Sequence, residues 1–243
     1  MRFLSRRNLL IGSAAAGAIK AASSELSPGK LRVIVTGGHP GDPEYGCGGT
    51  IAIYSELGHE VTLLYLNRGE KGCPGKGAKA CGSTRVSEAK KSCEILRARA
   101  RFADQMDGEA VVDHAHYDAF QRLLEAEKPE VVFTQWPIDN HRDHRATSTL
   151  VYDAWLRMKK SFALYYYEVS DGDDTLLFHP TDYVNITQTE ARKRTACYAH
   201  ASQSPDRFYA LQSQVTRFRG IESGHKQAEA FIRHPQSARN LLP

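Results

Sequence analysis

Apolar runs rich in β-branched residues recur along the chain, each followed by a polar stretch and then by a segment of helical periodicity. Leu31–Thr36, Val61–Leu66, Val131–Thr134 and Phe162–Val169 read as buried strands, Tyr183–Ile186 as a shorter one and Arg101–Phe102 as an edge strand. Helical character begins at Thr50 and stops at Gly58, and a helix capped by Ser83 or Thr84 runs to about Leu96 with Val86, Ala89, Cys93 and Leu96 on one face. Tyr117–Glu127 carries Phe120, Leu123 and Leu124 as its apolar stripe and ends before Pro129. Further helices are expected over Ala146–Lys160 and Thr189–His200, the second with Arg192, Lys193 and Arg194 on a solvated face. Asp171–Asp174 reads as a polar turn and Ala228–Phe231 as a last helical turn. This alternation is the βα grammar of a parallel sheet, so one α/β domain is predicted over residues 30–233: a Rossmann-like three-layer sandwich with a mostly parallel sheet.

Two of the strand-to-helix joints carry chemistry. After the first strand comes GGHPGDPEYGCGGT, with His39, Asp42 and Glu44 and with Gly46, Gly48 and Gly49 expected to fold the backbone tightly before the helix. After Val131–Thr134 comes QWPIDNHRDHRATS, with Asp139, His141, Asp143 and His144. In open α/β sheets ligands bind beyond the carboxyl ends of the strands, where both clusters fall. His39, Asp42 and His144 together make a two-imidazole, one-carboxylate set that suits Zn2+ and leaves a fourth position for water. His141 can address the same cavity, and Asp143 can hydrogen-bond a ring nitrogen and fix a tautomer.

Composition adds two restrictions. The 243 residues carry a formal charge of +4, but Arg2, Arg6, Arg7 and Lys20 supply four positive charges with no acid within residues 1–22. Without that segment the net charge is zero, so basicity is no argument for nucleic acid. Residues 1–22 themselves read as a twin-arginine export signal, Arg6 and Arg7 standing ahead of a short apolar run and small residues. An exported location, periplasmic or extracellular, is expected, with no membrane span in the mature protein. Of five cysteines, Cys73 and Cys81 bracket a surface loop as either a disulfide or two free thiols.

From Leu31 to Phe231 the chain resembles the LmbE-like, or PIG-L, deacetylases, zinc-dependent hydrolases of N-acetylglucosamine-type substrates. The likeness lies in HPGDPEYGCGGT against the family's HPDD and GCGGT, in His141-Arg142-Asp143-His144, in NRGE at 67–70, HASQ at 200–203 and AEAF at 228–231. It implies His39, Asp42 and His144 as zinc ligands, His141 as the group that stabilises the oxyanion and protonates the leaving amine, and Asp143 as its orienting partner. Arg68 is implied to face the substrate, a small N-acetylated sugar or glycoconjugate, with Asp139 beside it. One departure stands out: Gly41 occupies the position of the family's general base. Glu44 or Asp139 substitutes, or water ionised at zinc suffices at a lower rate, or the protein is a metal-containing carbohydrate-binding module of weak activity. An aspartate in place of Gly41 is expected to raise turnover, provided that the turn does not need a positive φ.

Overall fold

The computed structural model describes residues 29–169, 175–237 and 239–243. The export segment and the 171–174 turn lie outside these residues. Strands β1 (Arg32–Gly37), β2 (Glu60–Asn67), β3 (Arg99–Gln105), β4 (Val131–Gln135), β5 (Ala163–Tyr167), β6 (Asp182–Asn185) and β7 (Ala228–Arg233) form one sheet. Its order is β3-β2-β1-β4-β5-β7-β6; β3 to β5 are mutually parallel, and β7 runs antiparallel to both β5 and β6. The mostly parallel α/β fold is therefore as expected.

Alternation along the strands divides the core in two. Val33, Val35, Leu63, Tyr65, Val131 and Phe133 face helices α1 (Asp42–Glu56), α2 (Ala78–Leu96) and α5 (Glu190–Tyr198). Ile34, Leu64, Leu66, Val132 and Leu164 face α3 (His114–Glu127) and α4 (Arg142–Arg157), whose Leu150, Val151 and Trp155 are fully buried. Helix α6 (Pro205–Ser223) starts at a proline and ends at Gly224 in the left-handed region.

Four local expectations are corrected, the first being the cap of α2, which is Gly77, with Ser83 and Thr84 lying inside the helix and bonded to the carbonyls of Lys79 and Ala80. Helix α1 starts at Asp42, so Gly46, Gly48 and Gly49 lie inside it and serve close packing: a Cβ on Gly46 would overlap the Tyr167 ring, and one on Gly49 would come within 2.5 Å of Ile186. Ala228–Phe231 is not a helical turn but part of β7, which pairs on both edges. Lys193 is not solvated: its ammonium is fully buried against Glu229 at 2.6 Å. The same Glu229 carboxylate accepts the Gly49 and Thr50 amides in mid-helix, each at 2.8 Å. Helix α6 answers to no expectation, because its polar and apolar positions follow no clean stripe.

β1 and β4 are neighbours, and the chain leaves them in opposite directions, β1 toward β2 and β3, β4 toward β5. Their carboxyl ends flank the crevice of a topological switch point. His39 follows β1 directly and His141–His144 follow β4.

Candidate metal centre

Gly41 turns the chain into α1 with φ 113°, and Asp42 is the first helical residue. Across the crevice, His141 caps α4: its Nδ1 accepts the Asp143 amide at 3.2 Å, and His144 lies in the first turn. These two helix starts bring three donor atoms together. His39 Nδ1 is 3.3 Å from Asp42 Oδ2 and 3.3 Å from His144 Nε2, and His144 Nε2 is 3.2 Å from Asp42 Oδ2. Donors held at about 2.0–2.1 Å from a tetrahedral zinc ion are about 3.3–3.4 Å apart. The triangle therefore fits one face of such a site.

The rear nitrogens also face carboxylates. His144 Nδ1 meets Asp139 at 3.0 Å, and His39 Nε2 lies 3.3 Å from both Asp107 and Asp143. Asp42 Oδ2 further accepts the His39 amide and the Gln135 side chain. Burial works against charge on either imidazole, but the carboxylates of Asp42, Asp107 and Asp143 hold His39 protonated well above the ordinary histidine range. For His144 the same opposition, with Asp42 and Asp139 as the acids, ends at about 9. Burial would raise the Asp42 pKa, yet His144 and His39 bring it well below the usual carboxylate range. A site that draws positive charge so strongly suits a divalent cation, which displaces the protons as it binds. His141 behaves otherwise, since burial and the positive charge of His39 and His144 depress its pKa. With Nδ1 engaged as an acceptor, neutral His141 carries its proton on Nε2.

The cluster opens on a cavity of about 440 Å³. Besides His39, Asp42, His141 and His144, its walls include Arg85, Lys71 and Asp107 on a polar side and Tyr45 and Phe208 on an aromatic one. Several expected residues take other positions. Arg68 is half exposed and bound to Asp104 at 2.8 Å, off the cavity wall, because β2 ends just before it and turns it outward. Glu44 is fully buried beneath the floor, where it accepts from Tyr65 and His200 and from the Gly41 amide. Asp139 does not face substrate: its carboxylate is spent on His144, the His141 amide and Thr175. Asp143 does not orient the His141 ring through its carboxylate, which bonds Asn67 and the Gly108 amide and approaches His39 instead.

Arg85 and Asp107 were not foreseen. Arg85 is 5% exposed on α2 and donates to the Pro40 carbonyl. It stands on the same helical stripe as Ala89, Cys93 and Leu96, and a cation on an apolar stripe was the available signal. Asp107 follows β3, a third strand end, which the polar sequence RARFADQ concealed.

The profile of the PIG-L family, described as GlcNAc-PI de-N-acetylase, matches residues 34–155. A Bacillus cereus protein named probable N-acetyl-alpha-D-glucosaminyl L-malate deacetylase 2 is 28% identical over 184 residues, 71% of this chain and 83% of that protein. The diacetylchitobiose deacetylase of Thermococcus kodakarensis is 26% identical over 211 residues, 79% of each chain. Among solved structures, the conserved protein TT1542 of Thermus thermophilus superposes with a TM-score of 0.75 at 26% identity, covering 87% of this chain and 97% of that one.

Proposed function

This chain belongs to the PIG-L family, and on that premise we propose that it is a zinc-dependent hydrolase removing the acetyl group from an N-acetylated sugar or sugar conjugate. The triangle of His39, Asp42 and His144 donors at the base of the cavity carries the reading. These three residues would hold the ion, which when bound lowers the pKa of water and polarises an amide carbonyl. His144 is bonded at both ring nitrogens and His39 Nε2 stands between the carboxylates of Asp107 and Asp143, whereas His141 Nε2 faces the cavity side without a carboxylate partner. His141 is thus the imidazole that donates a hydrogen bond to the carbonyl oxygen as charge develops and carries a proton to the leaving amine. Arg85 and Asp107 on one side and Tyr45 and Phe208 on the other would hold the sugar. Gly41 offers no proton acceptor, and Glu44 and Asp139 are bonded elsewhere, so turnover is expected to be slow.

Acetate release from diacetylchitobiose and from N-acetylglucosaminyl malate, measured before and after chelation and with zinc restored, tests this. Zinc-restored release is expected. Sugar binding with no acetate from either substrate would turn the reading toward a carbohydrate-binding protein.

We further propose export through Arg6 and Arg7, a reading supported by the order of charged, apolar and small residues in 1–22. Replacing both arginines by lysine keeps the charge and should leave precursor in the cytoplasm on cell fractionation. Undiminished export of that variant would remove the proposal.

A further inference from the structure

We propose that the Cys73–Cys81 disulfide is a positioning device for substrate, holding one wall of the cavity at its working width; the proposal rests on the deacetylase reading. The bond joins residues separated by 8 in sequence, and both sulfurs belong to buried residues. Cys73 directly follows Lys71 and Gly72, which line the cavity. Cys81 lies in the first turn of α2, one helical turn before Arg85 and on the same face. The cross-link therefore ties the loop wall to the helix that delivers the buried guanidinium.

The two walls meet closely. Gly72 sits so near Arg85 that a Cβ there would overlap Nη1, and the Cys81 sulfur lies 3.2 Å from the Gly69 carbonyl. The loop is also held by the Lys71 amide on Asp107 at 2.9 Å and by Gln203 on the Gly72 carbonyl at 3.1 Å. Beyond Cys73, however, residues 74–77 are exposed and make two backbone hydrogen bonds, one from the Lys76 amide to the Cys73 carbonyl and one from the Cys81 amide to the Gly77 carbonyl at the start of α2. The disulfide ties the start of this exposed excursion to the first turn of α2. With the bond open, Gly72 keeps its hydrogen bonds with Gln203 and Gly69 but loses its covalent tie to α2, so it lifts more readily from Arg85 and widens the polar wall, while His39, Asp42, His141 and His144 stand on β1 and β4 joints that the loop does not build.

The expected signature is a change in substrate affinity without a change in chemistry. In Cys73→Ser/Cys81→Ser, KM for diacetylchitobiose should rise by about 3- to 30-fold, short of the about 10²-fold that a 1 Å misplacement can cost. Turnover per zinc ion should stay within about twofold. Wild-type protein reduced by a phosphine should behave the same way: S–S becomes two thiols, and the phosphine is oxidised to its oxide with oxygen from water. Reoxidation should restore the lower KM, which excludes a folding defect of the variant as the cause. If two more free thiols appear and KM does not move, the proposal fails. It fails also if zinc content or turnover falls while KM holds, since the bond would then serve the fold or the metal. Should oxidised wild type release no acetate, the deacetylase reading falls instead, and the same comparison made on the Kd for diacetylchitobiose still decides the role of the bond.

Discussion

Gly41 and Gly46 are glycines for different reasons. At Gly41 there is room, the nearest atoms to an added Cβ being the Tyr45 ring at 3.7 Å, but φ is 113°, a conformation that side chains resist. At Gly46 the torsions are helical and the room is missing, because Tyr167 lies against the helix. Gly41→Asp is therefore expected to lower stability by about 1–3 kcal/mol, the usual cost of a strained torsion. Gly46→Ala should cost at least about 1–3 kcal/mol through overpacking. Thermal or urea unfolding measures both, and wild-type stability in the Gly41→Asp variant would show that the turn accepts a side chain. In the sequence Gly46 read as a turn former, whereas Gly41 read as the position of a missing base at which a positive φ was left open. The donors His39, Asp42 and His144 were legible, because ligand-type residues at two strand ends rarely coincide. Their partners were not, since which carboxylate faces which ring nitrogen depends on the packing of separate loops. His144→Ala should lose its metal and keep its fold, while His141→Ala should keep its metal and lose turnover by about 10²- to 10⁴-fold. Metal analysis beside single-turnover rates separates the two, and loss of metal from the His141 variant would reverse their roles.

Helix α1 is the element on which the site depends most. Its entry is braced by Glu44, which receives the Gly41 amide at 3.2 Å, the Tyr65 hydroxyl at 2.8 Å and His200 Nε2 at 2.9 Å. Burial would raise the Glu44 pKa, but His200 and the hydrogen bonds prevail and hold it below the ordinary 4.5. A depressed carboxylate contributes stability that is complete above the unfolded-state value and is lost as the pH falls through the folded one. The wild type should accordingly lose stability on acidification below about pH 4.5 more steeply than Glu44→Gln, as urea unfolding at a series of pH values would show. Equal slopes would mean that the Glu44 pKa is not lowered in the native protein. Helices α3 and α4 and the first, second, fourth and fifth strands were readable from periodicity. β7 was not, because AEAFIR is short and its Glu229 looks solvent-facing until Lys193 and the α1 amides are found around it.

For the whole molecule, alternation of strand and helix was enough to predict a mostly parallel sheet. What alternation does not carry is strand order, so the meeting of the β1 and β4 ends was inferred only as a rule about such sheets and appears here as the register Val33 to Val131. No helix among the described residues is long and apolar enough to cross a membrane. The Glu229 carboxylate gives a further reading of this topology. It reaches back 180 residues to Gly49, and Tyr167 closes over Gly46 from β5. Contacts so distant in sequence form slowly, since loop closure must precede them. The helix that presents Asp42 is thus secured only when β7 has docked, and in a growing or partly folded chain His39, Asp42 and His144 stay unassembled until almost all of it is available. On the proposed zinc reading, ion capture would then come among the last events in maturation, and the ion would discriminate between completed and incomplete molecules.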